Sequence, residues 1–314
     1  MAACSPALPQ NTLAPAGEVA RDILGLFQVI FWMAAVVFVV VQGLLIYAIF
    51  RFRRKPGDTA IPAQVHGNTP LEVAWTIAPA VILAVIAVPT IGTIGKLAEP
   101  PDGKPVAQVS VTGHQWWWEF QYPELGVLTA NELHIPVGSR VNATLKSADI
   151  IHSFWVPRLS GKSDLFPGSR TTSRWFDADQ PGEYQGQCAE FCGASHAHMK
   201  FRVIAQTQAD FDAWVRAQKA PAAATTGAGA TLFTNKGCGA CHTIEGLAQG
   251  KVGPNLTHFA TRGTLAAGEF VRNDENIATW LRNPLAVKPG SQMPNLGLSD
   301  SDIQTLVTYL QALK

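Results

Sequence analysis

One short segment of the chain combines side chains that bind soft metal ions: Cys188, Cys192, His196 and Met199. Thiolate, thioether and imidazole ligands together suit copper. A mononuclear blue-copper site needs a single cysteine, whereas two cysteines can bridge two copper ions, which then need one more histidine. His152, beside a strand-like stretch, is the candidate. A zinc site would not need the methionine, and a redox disulfide would explain neither histidine nor methionine, so the segment predicts a dinuclear copper centre.

A second segment, Cys238, Cys241 and His242, has the Cys-x-x-Cys-His spacing of covalent c-type haem attachment. Both cysteines would form thioethers to the haem, and the histidine would bind the iron. A zinc site would need a second ligand pair, and no further cysteine follows. Met293 is the only methionine after this motif, and a thioether as sixth ligand is typical of electron-transfer haems. His258, which follows a turn, is the alternative sixth ligand.

The elements that must carry these segments begin with two uncharged apolar runs, residues 23–50 and 73–94. A membrane helix needs roughly 20 apolar residues, so each run is long enough to span. A signal peptide is the alternative for the first run, which is too long for one. Basic residues follow the first run: Arg51, Arg53, Arg54 and Lys55. Because such loops stay in the cytoplasm, both termini are expected outside it.

Short alternating stretches separated by Gly, Pro and Asp fill residues 105–204 and indicate an antiparallel sandwich or barrel. A short closing helix is predicted over 209–218. The pattern beyond it is helical, and Ser299 is a predicted N-cap. We therefore expect four parts: residues 1–96 with the two membrane helices, a β domain over 97–219, a small-residue linker over 220–229 and a helical domain over 230–314.

Composition excludes some classes of function. A net charge of +1 and a pI near 7.7 give no basic field for nucleic acid. The five cysteines do not form a disulfide framework. Cys4 follows small residues, as at a lipoprotein processing site, although a free cysteine fits equally well.

Several motifs resemble cytochrome c oxidase subunit II across the hairpin and the β domain. They are Asp-Ile-Ile-His-Ser-Phe-Trp-Val-Pro at 149–157, Gly-Lys-Ser-Asp at 161–164, Pro-Gly at 167–168, Gly-x-Tyr-x-Gly-x-Cys at 182–188 and Gly-His-Gln-Trp-Trp-Trp at 113–118. The last domain resembles class I cytochrome c through Gly-Pro-Asn-Leu at 253–256 and Lys-Pro-Gly-Ser-Gln-Met-Pro at 288–294. The resemblance implies a multidomain membrane protein with a two-helix transmembrane hairpin, an all-β cupredoxin sandwich and an all-α class I cytochrome c domain.

The resemblance also implies a ligand set for the dinuclear centre CuA. Cys188 and Cys192 would bridge both coppers. His152 and Met199 would complete one copper, and His196 with the backbone carbonyl of Glu190 would complete the other. The Glu190 side chain is either a solvated carboxylate or, as in the family, a ligand to an Mg or Mn ion at the interface with subunit I. His198 lies off the family spacing and is expected to be a loop residue.

Two further residues carry a family role beside an ordinary one. Trp116 is either part of the aromatic packing or, as the resemblance implies, the point where electrons enter above the copper pair. Glu72 begins the second apolar run, where an acid compensates the helix dipole. The resemblance gives this position a proton-uptake carboxylate, on the cytoplasmic side. The resemblance also implies that the Pro254 carbonyl accepts a hydrogen bond from His242 and that Phe233 packs on the last helix.

The function implied is that of the subunit through which electrons enter a cytochrome c oxidase, as in the caa-type oxidases. A cytochrome c would reduce the haem c, and electrons would continue through CuA to subunit I, with subunit III as a further partner. The hairpin would lie in a bacterial cell membrane with the metal domains on the periplasmic side. Since neither apolar run contains histidine, oxygen reduction would belong to subunit I. A copper subunit of nitric oxide reductase is the alternative.

Overall fold

The computed structural model describes residues 8–57, 59, 61, 63–100, 103 and 105–314. Cys4 lies outside the described residues. The chain divides into a helical unit over residues 21–99 and a second unit that contains residues 100–314 together with the segment before residue 21.

The helical unit consists of α1 (Glu18–Arg51) and α2 (Thr69–Ala98), of 34 and 30 residues. Both extend beyond the predicted runs into flanking polar residues. Asn68 begins α2, and its side-chain oxygen accepts a hydrogen bond from the Leu71 N–H. Both helices are long and apolar enough to cross a membrane. Pro79 and Pro89 lie inside α2 without ending it, as predicted.

The β domain is a sandwich of two five-stranded sheets, ordered β3-β2-β1-β5-β8 and β4-β10-β9-β6-β7. Its strands are β1 (Val106–His114), β2 (Trp117–Tyr122), β3 (Val127–Ala130), β4 (Glu132–Pro136), β5 (Arg140–Ser147), β6 (His152–Trp155), β7 (Ser163–Leu165), β8 (Thr172–Phe176), β9 (Gly182–Cys188) and β10 (Lys200–Gln206). The predicted closing helix is α3 (Gln208–Gln218). Alternate strand residues face inward and form the core, which includes Trp118, Phe120, Phe154 and Phe201.

The expectation of a purely antiparallel sandwich is wrong in two places. β1 pairs with β5 in parallel, and β10 pairs with β4 in parallel. Alternating apolar residues predict which side of a strand is buried but not the direction of its partner. These pairs are distant in sequence, so the local pattern holds no information about them.

The last domain contains α4 (Ala228–Asn235), α5 (Asp274–Arg282), α6 (Pro284–Val287) and α7 (Asp300–Gln311). Ser299 caps α7 as predicted, and its Oγ accepts from the Asp302 N–H at 3.1 Å. Phe233 packs on Tyr309 of α7 with ring centroids 6.0 Å apart. Contrary to the helical expectation, two hairpins interrupt the domain: β11 (Thr243–Ile244) with β12 (Ala248–Gln249), and β13 (Thr264–Leu265) with β14 (Phe270–Val271). Strands of two residues are too short to show the alternation of apolar and polar residues from which strands are predicted.

The segment before α1 is bound to the sandwich. The Ala16 N–H donates to the Arg158 carbonyl at 2.7 Å, and Arg158 Nε donates to the Ala14 carbonyl at 2.9 Å. The Glu18 N–H donates to Asp177 Oδ1 at 2.7 Å. The beginning of α1 is therefore held against the β domain.

Candidate metal and haem sites

The six residues of the predicted copper ligand set converge at one end of the sandwich, although two separate parts of the chain supply them. His152 begins β6, Cys188 ends β9, and the loop between β9 and β10 carries the rest. Ligand atoms of His152, Cys188 and Cys192 all lie within 4.8 Å of one another. His152, Cys192 and Met199 are fully buried.

The two sulfur atoms lie at the middle of this cluster. Cys188 Sγ is 3.7 Å from Cys192 Sγ. Cys188 Sγ is also 3.8 Å from His152 Nδ1 and 3.2 Å from the Glu190 carbonyl oxygen. Cys192 Sγ is 3.5 Å from His196 Nδ1 and 3.8 Å from Met199 Sδ. Each predicted ligand therefore approaches one of the two thiols.

Asp149 orients the imidazole of His152. Its Oδ1 accepts from His152 Nε2 at 2.7 Å, which leaves Nδ1 facing Cys188. A histidine ligand with its other nitrogen on a carboxylate has a fixed tautomer and a more basic metal-facing nitrogen. Burial opposes the protonated ring, but the hydrogen bonds to Asp149 and Cys188 raise the pKa of His152. The sequence analysis predicted no role for Asp149. Its position three residues before His152 was the feature of the sequence that could have indicated this contact.

The two thiols are electrostatically coupled. A hydrogen bond from Cys192 lowers the pKa of Cys188 to about 4, and the same contact raises the pKa of Cys192. One proton is thus shared between two sulfur atoms, and a cation at this position would displace it, because metal binding requires deprotonated thiols. The donor set of two thiols, two imidazoles, a thioether and a carbonyl suits copper.

Other charged residues of the copper loop point away from the sulfur atoms. The Glu190 carboxylate is 3.3 Å from Lys162 Nζ, and its side chain is 44% exposed. It is therefore accessible to another ligand or partner. His198 Nδ1 lies 3.1 Å from Glu269 Oε2, so it is a loop residue and not part of the cluster.

The second predicted segment lines a cavity in the last domain that includes Cys238, Cys241, His242 and Met293. His242 Nδ1 donates to the Pro254 carbonyl at 2.8 Å, as the resemblance implied, and leaves Nε2 for a metal. Burial lowers the pKa of His242, which favours the neutral, ligating ring. Gly253 lies against this ring, and a Cβ there would be 2.5 Å from His242 Cε1.

The cavity favours Met293 over His258 as the opposite ligand, since Met293 lines it and His258 does not. Buried Arg262 also lines it, and its Nε has no hydrogen-bond partner among the described residues. Burial lowers the pKa of Arg262 to about 10, so the guanidinium stays charged at neutral pH. A guanidinium in a mainly apolar cavity that is also lined by Lys288 fits a haem, whose propionates are anionic.

Trp116 lies between the two sites. Its Nε1 donates to the Cys192 carbonyl at 2.8 Å, and its ring lines the haem-sized cavity. Gly290, three residues before Met293, has a φ of +79° and lies so close that a Cβ would be 2.8 Å from the Trp116 ring. Trp116 is only 8% exposed, so the last domain covers it. Trp118 faces the core instead, and Trp117 stacks on His114.

Glu72 lies in the first turn of α2, and its Oε1 accepts from the Asn68 N–H at 3.2 Å. Asn68 in turn caps Leu71, so the two side chains form a reciprocal cap. The ordinary helix-capping role of Glu72 thus has a geometric basis. The proton-uptake role stays a prediction.

Three family models match the chain. "Cytochrome C oxidase subunit II, transmembrane domain" matches residues 10–92, and "Cytochrome C oxidase subunit II, periplasmic domain" matches residues 126–206. "Cytochrome c" matches residues 227–314.

Relatives cover nearly the whole chain. "Cytochrome c oxidase subunit 2" of Alkalihalophilus pseudofirmus is 40% identical over 97% of this chain and 91% of its own length. The protein of the same name from Bacillus subtilis is 36% identical over 97% of this chain and 92% of its own length. "Quinol oxidase subunit 2" of Bacillus cereus is 34% identical over 65% of this chain and 71% of its own length.

Proposed function

The chain belongs to the cytochrome c oxidase subunit II family, and on this premise we propose that it receives electrons for a membrane-bound terminal oxidase. A cytochrome c would be the electron donor. Haem c and dinuclear CuA would be the two redox centres on this chain, and subunit I would accept the electrons, reduce oxygen and pump protons. Subunit III would be a further partner. The observation that carries the proposal is the position of Trp116, which touches both the copper loop and the cavity of the cytochrome domain.

The copper part of the proposal rests on the residues that would hold the metals. Cys188 and Cys192 would bridge both coppers, with His152 and Met199 on one and His196 and the Glu190 carbonyl on the other. When bound, the copper pair supplies a one-electron centre. Asp149 holds His152 in the ligating tautomer before any metal arrives. The burial of His152, Cys188, Cys192 and Met199 would exclude water from this part of the site.

The haem part rests on a cavity that fits the group. Cys238 and Cys241 would attach the haem, and His242 and Met293 would bind the iron from opposite sides. The Pro254 carbonyl fixes the His242 ring, and the Arg262 guanidinium would face the propionates. A haem with histidine and methionine ligands supplies a second one-electron centre, with no open position for a substrate.

Trp116 would hold the copper site and the haem site in a fixed relative position. Its indole is hydrogen-bonded to the copper loop and packed beneath the loop that ends in Met293. The ring is therefore in contact with both domains. The role proposed for Trp116 is therefore coupling of the two centres, with electrons arriving through the cytochrome domain and not from an external protein at Trp116.

Membrane orientation follows from two observations. The segment at Ala14 and Ala16 is hydrogen-bonded to Arg158 of the β domain, so both ends of the hairpin lie on the same side of the membrane. The basic residues after α1 are expected on the cytoplasmic side. We therefore place the metal domains on the periplasmic side of a bacterial cell membrane and Glu72 on the side of proton uptake.

Metal analysis and EPR of the full chain in detergent test the proposal. We expect two coppers and one covalent haem per chain, with the unpaired electron of the oxidised copper pair delocalised over two nuclei. A four-line hyperfine pattern from a single copper would refute the dinuclear assignment. A quinol oxidase subunit lacking copper would show haem alone or neither group. The relatives reported above are oxidase subunits, which favours this function over a nitric oxide reductase.

A further inference from the structure

The linker between the copper-binding and haem-binding domains permits two kinds of connection. Between Gln218, where α3 ends, and Ala228, where α4 begins, the chain consists mostly of small residues, chiefly alanine, and has no helix or strand. Such linkers behave as flexible tethers. A tethered haem domain could swing between an outside donor and the copper site, or it could be held in one position. Buried polar contacts across the interface decide between these possibilities.

Lys288 is the first of these contacts. It belongs to the haem-binding domain and is only 4% exposed. Its Nζ donates to the Trp116 carbonyl of the copper-binding domain at 2.5 Å and to the Ala266 carbonyl of its own domain at 3.2 Å. Burial lowers the pKa of Lys288 to about 7, so the amine is held in place at an electrostatic cost. Separation of the domains would leave the Trp116 carbonyl without this donor.

Glu132 is the second contact, and here the copper-binding domain supplies the buried charged side chain. It belongs to β4 of the copper-binding domain and is 1% exposed. Its carboxylate accepts from the N–H groups of Gly263 and Thr264 at 3.1 and 2.8 Å, and from Thr264 Oγ1 at 2.8 Å. A buried carboxylate that loses its donors is strongly destabilised. All three donors come from the haem-binding domain.

Backbone hydrogen bonds continue the interface between these two points. The Lys200 N–H donates to the Ala267 carbonyl at 3.0 Å, and Ser195 Oγ donates to the Pro289 carbonyl at 2.6 Å. Both are next to the copper loop. The contact is therefore continuous from Glu132 through the copper loop to Lys288, and buried polar groups of both domains depend on it.

We propose that Lys288 and Glu132 are positioning residues that lock the haem-binding domain onto the copper-binding domain, so that electrons cross a fixed interface at Trp116. The inference rests on the proposed function. In the step concerned, one electron leaves the reduced haem iron and reduces the copper pair, and no bond forms or breaks. Glu132 does not line the haem cavity and acts by fixing the distance between the centres, whereas Lys288 lines that cavity as well as holding the Trp116 carbonyl, so Glu132→Gln is the variant that isolates the positioning role.

The test uses the full chain loaded with haem and copper, in four variants. Lys288→Met keeps the length and apolar stem of the side chain but removes its donor. Glu132→Gln keeps the shape but replaces one acceptor with a donor. Lys219→Met and Glu124→Gln are matched controls on exposed positions. The haem is reduced rapidly, and the arrival of the electron at copper is followed optically.

We expect haem-to-copper transfer to slow roughly tenfold in Lys288→Met and Glu132→Gln, the factor that about 1.4 kcal/mol of lost docking energy produces. Reduction of the haem by an external donor should keep its rate. Hydrogen exchange at the N–H groups of Lys200 and Thr264, which cross the interface, should accelerate by a similar factor. Both controls should match the unmodified chain.

The outcomes separate the two proposals. If the unmodified chain carries no electron from haem to copper, the proposed function fails. If transfer is normal there and both interface variants match their controls in rate and exchange, the lock is wrong. If either variant fails to fold, hydrogen exchange in the unmodified chain still tests whether the domains are locked together. Exchange of the Lys200 and Thr264 N–H groups at the rate of exposed amides would show a mobile domain and overturn the inference.

Discussion

Replacing Asp149 with asparagine tests whether the carboxylate prepares His152 for a metal. Asp149 accepts short hydrogen bonds from His152 Nε2 at 2.7 Å, the Gln115 N–H at 2.6 Å and the Ile150 N–H at 2.7 Å, and a longer one from Ser147 Oγ at 3.5 Å. Burial would raise the pKa of Asp149, but these hydrogen bonds lower it, so the group is ionised at neutral pH. Asparagine has only one acceptor oxygen. If this oxygen keeps the hydrogen bond with His152, the amide NH2 group faces the Gln115 N–H, which is also a donor. In the other orientation the hydrogen bond with the imidazole is lost.

The loss of one such hydrogen bond costs about 1–3 kcal/mol. Removal of the partner that orients a histidine ligand weakens metal binding roughly 10- to 100-fold, which equals about 1.4–2.7 kcal/mol. The two ranges overlap. We expect Asp149→Asn to weaken copper binding by that factor, with the fold and the haem unchanged.

Competition with a copper chelator, followed through the optical bands of the copper centre, measures the affinity. Asp212→Asn is the control, because Asp212 is an exposed carboxylate on α3 that pairs only with Gln208 in the described contacts. Equal copper affinity in Asp149→Asn and Asp212→Asn would show that the backbone alone positions His152, and the argument from the carboxylate would be refuted.

Three further predictions concern other parts of the chain. Met293→Ala should leave the haem covalently attached, abolish the near-infrared sulfur-to-iron band and let the reduced form bind carbon monoxide; if His258→Ala does this instead, the ligand assignment is wrong. Glu72→Gln keeps an acceptor for the helix cap but removes the carboxylate, so oxygen uptake by the assembled oxidase should slow while stopped-flow reduction of haem and copper stays normal. Unchanged turnover would leave Glu72 with its capping role alone. Burial would raise the pKa of Glu269, but hydrogen bonds from His198 and Lys200 lower it. The stabilisation it gives is complete above the ordinary glutamate pKa and is lost as the pH falls through the lowered value, so acid should open the domain interface. Hydrogen exchange measured against pH should show this step, and Glu269→Gln should remove it; a step that persists in Glu269→Gln belongs to another group.

The cluster of predicted copper ligands could be anticipated from sequence because the residue types and their spacing are both restrictive. Cys188 and Cys192 lie four positions apart in one loop, and His152 stands in a recognisable motif, so the convergence of all three at one site could be predicted. The haem ligands were accessible for the same reason. Helix α7 was equally accessible, since Ser299 and the apolar positions from Ile303 onward act within one local period.

Contacts between distant residues could not be derived in this way. Lys288 and Glu132 are ordinary charged residues in sequence, and their burial depends on how two domains meet. The parallel pairing of β1 with β5 likewise depends on the whole sandwich. Asp149 lies between these cases, because its place before His152 was visible while its hydrogen bond was not.

The attachment of the segment before α1 to the β domain sets an order on biosynthesis. Ala14, Ala16 and Glu18 are made before the hairpin, whereas their partners Arg158 and Asp177 leave the ribosome only after both of its helices. This segment can therefore dock on the sandwich only after the hairpin and the strands have been made. Domains generally fold as units during synthesis, N-terminal parts first. Here the sandwich is completed by a segment that is made before its strands, so the finished domain forms only after the hairpin has been synthesised.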